Sequence, residues 1–391
     1  MNFDSPTSQP GVSSVLRKVL VTKIQTIPLR VPFRDPLYKI AVGGHRSHQE
    51  ILIVRLETNE GVTGIGETMA WRRLGSVETI ASLRAAIHDL LSPLVIGRSP
   101  FDLALIIREM NQALDKSLYA KAPICDAIYD IQGKLLGVPV YELLGGKVRD
   151  KLGACSVVTI KDSLEETLAG AQDSYERGFR AFNVKVGPNS RETDLRNIRA
   201  IRDNLRDAII RIDGNASMNF DDALWLLKRA ENYDIDAAEQ LLSLWDIEGL
   251  AELARRTCIP IMVDESIATE HDLLQVIGRR AATVFQTKIA KNGGIWGCRN
   301  LWTIGAAAGM RIYPGNHPCT SVSTAAVMQM AAAWPGDLLE GPFAAGITDA
   351  LANDIVQNPL MVSGRHVYVP NGPGLGVTLD EDAIQSMRMD K

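Results

Sequence analysis

Two patterns of apolar and polar positions divide this chain. Between residues 19 and 31 and again between 50 and 58 β-branched residues are dense, and the glycines of EGVTGIGE (60–67) supply turns between short strands. That text predicts an antiparallel sheet. Three stretches follow, 77–94, 101–114 and 119–136, with apolar residues at three- and four-residue spacing, the last stopping at Gly137. They predict helices, and a sheet followed by helices predicts an α+β unit. From about 151 the pattern changes to short apolar runs alternating with amphipathic stretches, with strands expected near 151–158, 180–186, 208–213, 235–239, 260–263, 283–288, 310–314 and 336–340. Eight strands with seven helices between them predict an α/β fold, a (β/α)7β TIM-like barrel. The glycine-rich, strand-like text HVYVPNGPGLGVTLDEDA (366–383) does not continue a barrel. The resulting plan is a flexible tail (1–18), an α+β capping domain (19–148), a barrel (149–348) and a C-terminal segment (349–391) that returns to complete the cap.

Length agrees with two structural units, since 391 residues exceed what one hydrophobic core usually organises. A formal charge of −4, with no basic tract and no interleaving of aromatic and basic residues, lacks the electrostatic footprint of a nucleic-acid binder. A small-molecule partner is expected instead. The cysteines (Cys125, Cys155, Cys258, Cys298, Cys319) are odd in number, widely spaced and without a CxxC pair. This argues against a disulfide framework and a zinc site, and suits a reducing cytoplasm. The opening MNFDSPTSQPGVSS is polar, and no run of 18 apolar residues occurs, so a soluble protein with no membrane partner is expected.

Five charged residues fall at the C-terminal ends of consecutive expected strands: Lys185, Asp213, Glu239, Asp264 and Lys288. Their separations of 28, 26, 25 and 24 residues are one strand-helix unit each, so the side chains should converge on the catalytic face of the barrel. Three carboxylates brought together repel one another and are partly protonated unless a cation offsets them. All-oxygen ligation without clustered His or Cys suits Mg2+ or Mn2+, with open positions for a bidentate substrate carboxylate. The lysines flank that ion, and a lysine near a cation, a second lysine and an apolar wall is expected to have a lowered pKa and to act as a base. Taken singly, an acidic residue at a strand end is more often a loop hydrogen-bonder or a helix cap. The periodic set of five outweighs that reading.

At these residues the chain resembles the enolase superfamily, and within it the muconate lactonizing subgroup of the mandelate racemase and muconate lactonizing enzymes. The matching motifs are FNVKVG (182–187), RIDGNA (211–216), AAEQ (237–240), MVDES (262–266) and TKIAKNGG (287–294). EGVTGIGE, YELLGGKVRDKL (141–152) and PGLGVTLDE (373–381) extend the resemblance over nearly the whole chain. It implies that Asp213, Glu239 and Asp264 bind Mg2+ or Mn2+, with Lys185 and Lys288 as acid and base on opposite faces of the substrate. A lysine base beside divalent ions that stabilise the enolate is an arrangement already known for this superfamily. Asn215, two residues after Asp213, resembles a place that either supports a ligand from behind or contacts the substrate.

Three positions depart from the subgroup. Asn183 stands where the first lysine of Lys-x-Lys is usual, and an amide cannot repeat its charge. Leu241 replaces a proline after Glu-Gln. His317, in YPGNHPCTS (313–321), occupies the place of a catalytic histidine in mandelate racemase-like relatives, but Lys288 takes the place of its aspartate partner. Glu340, at the end of the eighth expected strand, is a candidate contact for the substrate carboxylate. Specificity is expected from cap loops at 38–48 and 69–74, with His45, Arg46, His48, Trp71 and Arg72 as candidates.

The reaction expected is removal of the proton next to a carboxylate, with cycloisomerisation of a muconate-like diacid as the leading outcome. Racemisation or epimerisation of an amino-acid derivative, or dehydration of a hydroxy acid or hydroxyproline-like substrate, is the alternative. A catalytically silent relative serving as a binding protein is the reading from another class, and the intact set of charges speaks against it. A cytoplasmic homo-oligomer acting on a small carboxylate is expected.

Overall fold

A computed structural model describes residues 16–35, 38–39, 46–71, 78–341 and 350–390. The first sheet is antiparallel in the order β1 (Val21–Pro32), β2 (His48–Thr58), β3 (Thr63–Met69). In the central strand Ile51, Leu52, Ile53 and Val54 are all buried, so both of its faces are covered. Of the glycines expected to make turns, Gly61 does, at φ 75°. Gly64 and Gly66 lie inside β3, where a Cβ would strike the backbone of Ala127 and Pro123 in the helix Leu118–Leu136. Their missing side chains let that helix lie directly on the sheet.

The helices of this unit are a rod built from Ile80–Ala85, a π-helical turn Ala86–Leu91 and Ser92–Val95, then Leu103–Ala113 and Leu118–Leu136. Thr79 and Ser82 form a capping box that starts the rod. Leu118–Leu136 is buried almost throughout, because it separates the first sheet from a helix of the second unit, Gly294–Ala307.

Seven parallel strands form a curled sheet: β5 (Cys155–Val158), β6 (Ala181–Lys185), β7 (Ile209–Asp213), β8 (Ile235–Glu239), β9 (Ile261–Val263), β10 (Val284–Thr287) and β11 (Arg311–Pro314). They are neighbours in chain order, and a helix follows each. Six of those helices start at a residue whose side chain accepts a backbone N–H: Ser163, Ser190, Asn219, Asp246, Thr269 and Thr320. Such caps stabilise by about 1 kcal/mol each. Each buried Leu or Ile on the inner faces, such as Leu226, Leu250 and Ile198, adds roughly 1.5–3 kcal/mol.

Two expected strands are corrected. The run 151–158 breaks at Ala154, whose N–H donates to Arg365 O at 2.7 Å. Its first half, β4 (Lys151–Gly153), joins β12 (Val362–Ser363) and β13 (His366–Tyr368) in a separate antiparallel sheet. The stretch 336–340 is not a strand. It makes one backbone bond to the end of the sheet, Leu339 N to Ile312 O at 2.9 Å. The C-terminal segment touches the first sheet through bridges Leu29 to Arg388 and Phe33 to Leu351. Among the described residues no single helix is long and apolar enough to cross a membrane.

Candidate active site

Lys185, Asp213 and Glu239 are the last residues of β6, β7 and β8, and Asp264 and Lys288 directly follow β9 and β10. Lys185 is in register with Asp213, and Asp213 with Glu239. All five therefore meet at one edge of the curled sheet, as the spacing predicted. The turns beyond these strands are tight: Asn215 and Ala216 after β7 and Gln240 after β8 have φ of 41°, 58° and 35°. Asn tolerates that region better than most side chains.

The lysines lie on the aspartates. Lys185 Nζ pairs with Asp213 Oδ2, and Lys288 Nζ stands 2.5 Å from Asp264 Oδ2. A further lysine, Lys291, reaches Asp264 Oδ1 at 2.8 Å and donates to Ile267 O at 2.9 Å. Glu239 is held by amides, with Asn183 Nδ2 donating to Oε2 at 2.8 Å and Gln286 Nε2 to Oε1 at 2.5 Å. Asn215 donates through Nδ2 to both Asp213 Oδ2 and Glu265 Oε1 at 3.2 Å.

This pairing sets the protonation states. Burial alone would lower both lysines, but the surrounding carboxylates, Asp213 and Glu239 for Lys185 and Asp264 and Glu265 for Lys288, hold them above the ordinary lysine value. With these carboxylates as their partners, the ammonium groups are stabilised; the lowered lysine pKa expected from sequence belongs to a site that holds the cation. Burial and then the Asp213 and Asp264 charges push Glu239 far up. Glu265 is pushed up to about 8 by burial and by the charge of Asp264. Asp264 goes the other way, because Lys288 and Lys291 outweigh its burial.

The donor chemistry fits a hard divalent cation. Glu265 Oε2 and Asn215 Oδ1 are buried without a hydrogen-bond partner, and both add oxygen beside the three carboxylates. As they stand, lysines and amides occupy those carboxylates, and among the described residues no group of three His, Cys, Asp or Glu is already arranged around an ion.

Above the lysines opens a cavity of 230 Å3. Lys185, Lys288 and Asn215 contribute to it from the strand mouths, Tyr38, Arg46 and Trp71 from the first unit, and His317 from the turn after β11. The His317 ring is buried against Trp71, with centroids 4.7 Å apart and the rings tilted by 55°, and Arg46 lies 4.8 Å from the Trp71 ring. Tyr119 OH is 3.3 Å from His317 Nε2. Burial, and then the Lys288 charge, hold His317 well below the usual imidazole value, so it is neutral.

Other expected contacts lie elsewhere. Asn183 is fully buried on Glu239 and does not border the cavity. Glu340 accepts from Arg211 Nη2 at 2.7 Å, and Arg211 also binds Asp236 near the start of β8, so this group gathers at the opposite edge of the sheet. His48 is not in the cavity wall and is 3.1 Å from Ser47 Oγ. His45 and Arg72 lie outside the described residues. Sequence reasoning missed Gln286, Glu265, Lys291 and Tyr119. Three of these sit inside or next to the quoted motifs, and Gln286 shares the strand parity of Lys288, which is the signal that could have found it.

A curled parallel sheet with two lysines and three carboxylates at its mouth, roofed by a smaller α+β unit, defines an α/β enzyme fold. Residues 166–383 match the family model described as enolase C-terminal domain-like. Residues 22–145 match that of the mandelate racemase / muconate lactonizing enzyme N-terminal domain. The chain belongs to the mandelate racemase and muconate lactonizing enzyme family of the enolase superfamily. It is 32% identical to muconate cycloisomerase 1 of Pseudomonas putida, over 94% of this chain and 98% of that protein. It is 30% identical to the N-succinyl-L-Arg/Lys racemase of Bacillus cereus, over 94% and 97%. The crystal structure of muconate lactonizing enzyme from Pseudomonas fluorescens complexed with muconolactone superposes with a TM-score of 0.90 at 30% identity, covering 95% of this chain and 99% of that one. These relatives are all isomerases.

Proposed function

We propose that this chain is a divalent-ion-dependent isomerase that removes the proton next to a substrate carboxylate, stabilises the enolate and completes a muconate-type cycloisomerisation. The observation that carries the proton chemistry is the sheet order. The strands bearing Lys185 and Lys288, β6 and β10, flank the strands that lead to Asp213, Glu239 and Asp264. A substrate carboxylate centred on the three acids thus has one lysine on each side.

Asp213, Glu239 and Asp264 would hold Mg2+ or Mn2+, which supplies Lewis-acid stabilisation of the enolate when bound. Offsetting the aspartate charges weakens the grip on Lys185 and Lys288, and each can then give or take a proton at Nζ. Asn215 borders the cavity beside Lys185 and is placed to meet the substrate. Trp71, Arg46 and His317 line the same cavity and pack on one another. The same reading takes the seven strands and the segment at 336–340 as a (β/α)7β barrel, with 19–148 and 349–391 as the cap. It places the protein in the cytoplasm as a homo-oligomer acting on a small carboxylate, without nucleic acid or membrane.

The cycloisomerase direction is supported by similarity to enzymes of that name over most of the chain. A lysine on each flank supports a second reading, racemisation or epimerisation of an amino-acid derivative, since 1,1-proton transfer needs a group on both faces. One experiment separates them: incubation with cis,cis-muconate and a panel of N-acyl amino acids and hydroxy acids in deuterated water with Mg2+. An isomeric lactone supports cycloisomerisation, α-deuteration without mass loss a racemase, and loss of one water a dehydratase. No turnover or exchange with any of them would overturn the proposal.

A further inference from the structure

The three acidic residues at the strand mouths are held in two different ways. Asp213 and Asp264 each carry an ammonium partner, whereas the hydrogen bonds of Glu239 come from two neutral amides, one on each carboxylate oxygen. Those amides reach it from both sides, Asn183 from β6 and Gln286 from β10, and all three side chains are fully buried. Both amides present their NH2 group to it, the orientation that suits Glu239 in the ionised form it would take beside a divalent ion, since a carboxylate can only accept. Their carbonyl oxygens, Asn183 Oδ1 and Gln286 Oε1, are buried with no hydrogen-bond partner. A pair serving stability alone would bond at both ends, since an orphaned buried oxygen is costly. The seat of Gln286 is cut to shape as well: a Cβ at Gly315, just beyond β11, would land on its amide.

We infer that Gln286, acting with Asn183, is a positioning residue that fixes the Glu239 carboxylate in one orientation toward the divalent ion without neutralising it. The inference rests on the ion site of the proposed function. An ammonium in the same place would offset the charge of Glu239, while an amide leaves it whole. One hydrogen bond per oxygen also leaves each oxygen a lone pair for an ion. Outer partners that orient a ligand in this way commonly change metal affinity by about 10- to 100-fold when removed.

The test is titration of the metal-free full chain with Mn2+ alone, followed by calorimetry and by the Mn2+ electron paramagnetic resonance signal. It compares wild type, Gln286→Met and Gly315→Ala. The first variant removes the amide and keeps its volume. The second keeps every polar group and displaces the amide from its seat. Both are expected to raise the Mn2+ Kd by roughly 10- to 100-fold, with the melting temperature in EDTA within a few degrees of wild type. Wild-type Kd in the folded variants would overturn the inference and leave the ion site standing. Absence of a Mn2+ site in wild type would overturn both. If Gln286→Met does not fold, Gly315→Ala decides alone.

Discussion

Lys288 Nζ lies 2.5 Å from Asp264 Oδ2, and the pair is buried at the mouth of β9 and β10 with Lys291 on the other carboxylate oxygen. The two lysines hold Asp264 ionised, and Asp264 with Glu265 holds Lys288 protonated. A base at Lys288 therefore depends on a competing charge reaching Asp264, which ties the proton chemistry to occupancy of the proposed ion site.

Removal of divalent ions is expected to abolish turnover and lower the melting temperature, with Mg2+ or Mn2+ restoring both. An ion at 100 times its Kd stabilises the native state by about 2.7 kcal/mol. Asp264→Asn should weaken ion binding and also lower the melting temperature of the metal-free protein, because it leaves the buried Lys288 and Lys291 ammonium groups without their shared anion. Calorimetric titration and melting curves with and without EDTA check this; full turnover in metal-free protein would refute it.

His317 is expected to act by contact rather than by proton transfer. It is neutral, its hydrogen-bond partner is Tyr119 OH, and Nδ1 has no partner, so no aspartate prepares it as a base. His317→Asn and Tyr119→Phe should raise KM about 3- to 30-fold, equivalent to one modest hydrogen bond or packing contact. Exchange of the substrate α-proton at saturation should stay within a few-fold of wild type. Loss of exchange in His317→Asn alone would instead make it an acid or base.

Much of this was legible in the sequence, and the misses have physical reasons. Strand and helix alternation from β6 to β11 follows local periodicity, and so does the convergence of Lys185, Asp213, Glu239, Asp264 and Lys288. The break at Ala154 depends on pairing with Arg365 and β13, which no local pattern encodes. Glu340 was misplaced because a strand-end acid looks the same whether it faces substrate or a buried arginine, here Arg211. The pairing of each lysine with its own aspartate was not legible for a related reason: spacing shows that charges meet, but not which of them pair.

Glu67 links the two units and should make stability depend on pH near neutrality. Its carboxylate accepts from Thr320 N at 3.0 Å, Thr320 Oγ1 at 2.6 Å and Ser323 N at 3.0 Å, at the start of the helix Ser321–Ala333. Burial raises its pKa from 4.5 to about 7, against those hydrogen bonds, and Asp354 adds to the rise. A raised folded value means that the stabilising contribution is complete below about 4.5 and is lost as pH climbs through about 7. The loss is on the order of 1–3 kcal/mol. Wild type should therefore lead Glu67→Gln in melting temperature more at pH 5 than at pH 8; an equal lead at both would refute the linkage.

The two lysines should prove separable. They stand on strands that flank the three acids, so in a 1,1-proton transfer each would serve one stereochemical presentation of the substrate. Lys185→Met and Lys288→Met keep most of the aliphatic volume and remove the base, and both positions are strand ends, so the fold should survive. In a racemase each variant loses racemisation, and each retains deuterium exchange into a different enantiomer. In a cycloisomerase one lysine carries the reaction, and its loss should cut kcat by about 100- to 10,000-fold, the usual contribution of a positioned acid or base. The other would affect mainly KM, through its charge beside the substrate carboxylate. Asn183 sharpens the asymmetry, because it brings an amide and no second cation to the neighbourhood of Lys185, whereas Lys288 has Lys291 on the same aspartate. Lys291 repels a proton on Lys288, so Lys288 sheds its proton more readily than Lys185 once Asp264 is offset. Lys288→Met is thus expected to be the more damaging substitution. Near-native turnover in both variants would refute the two-lysine mechanism and make His317 the first residue to replace.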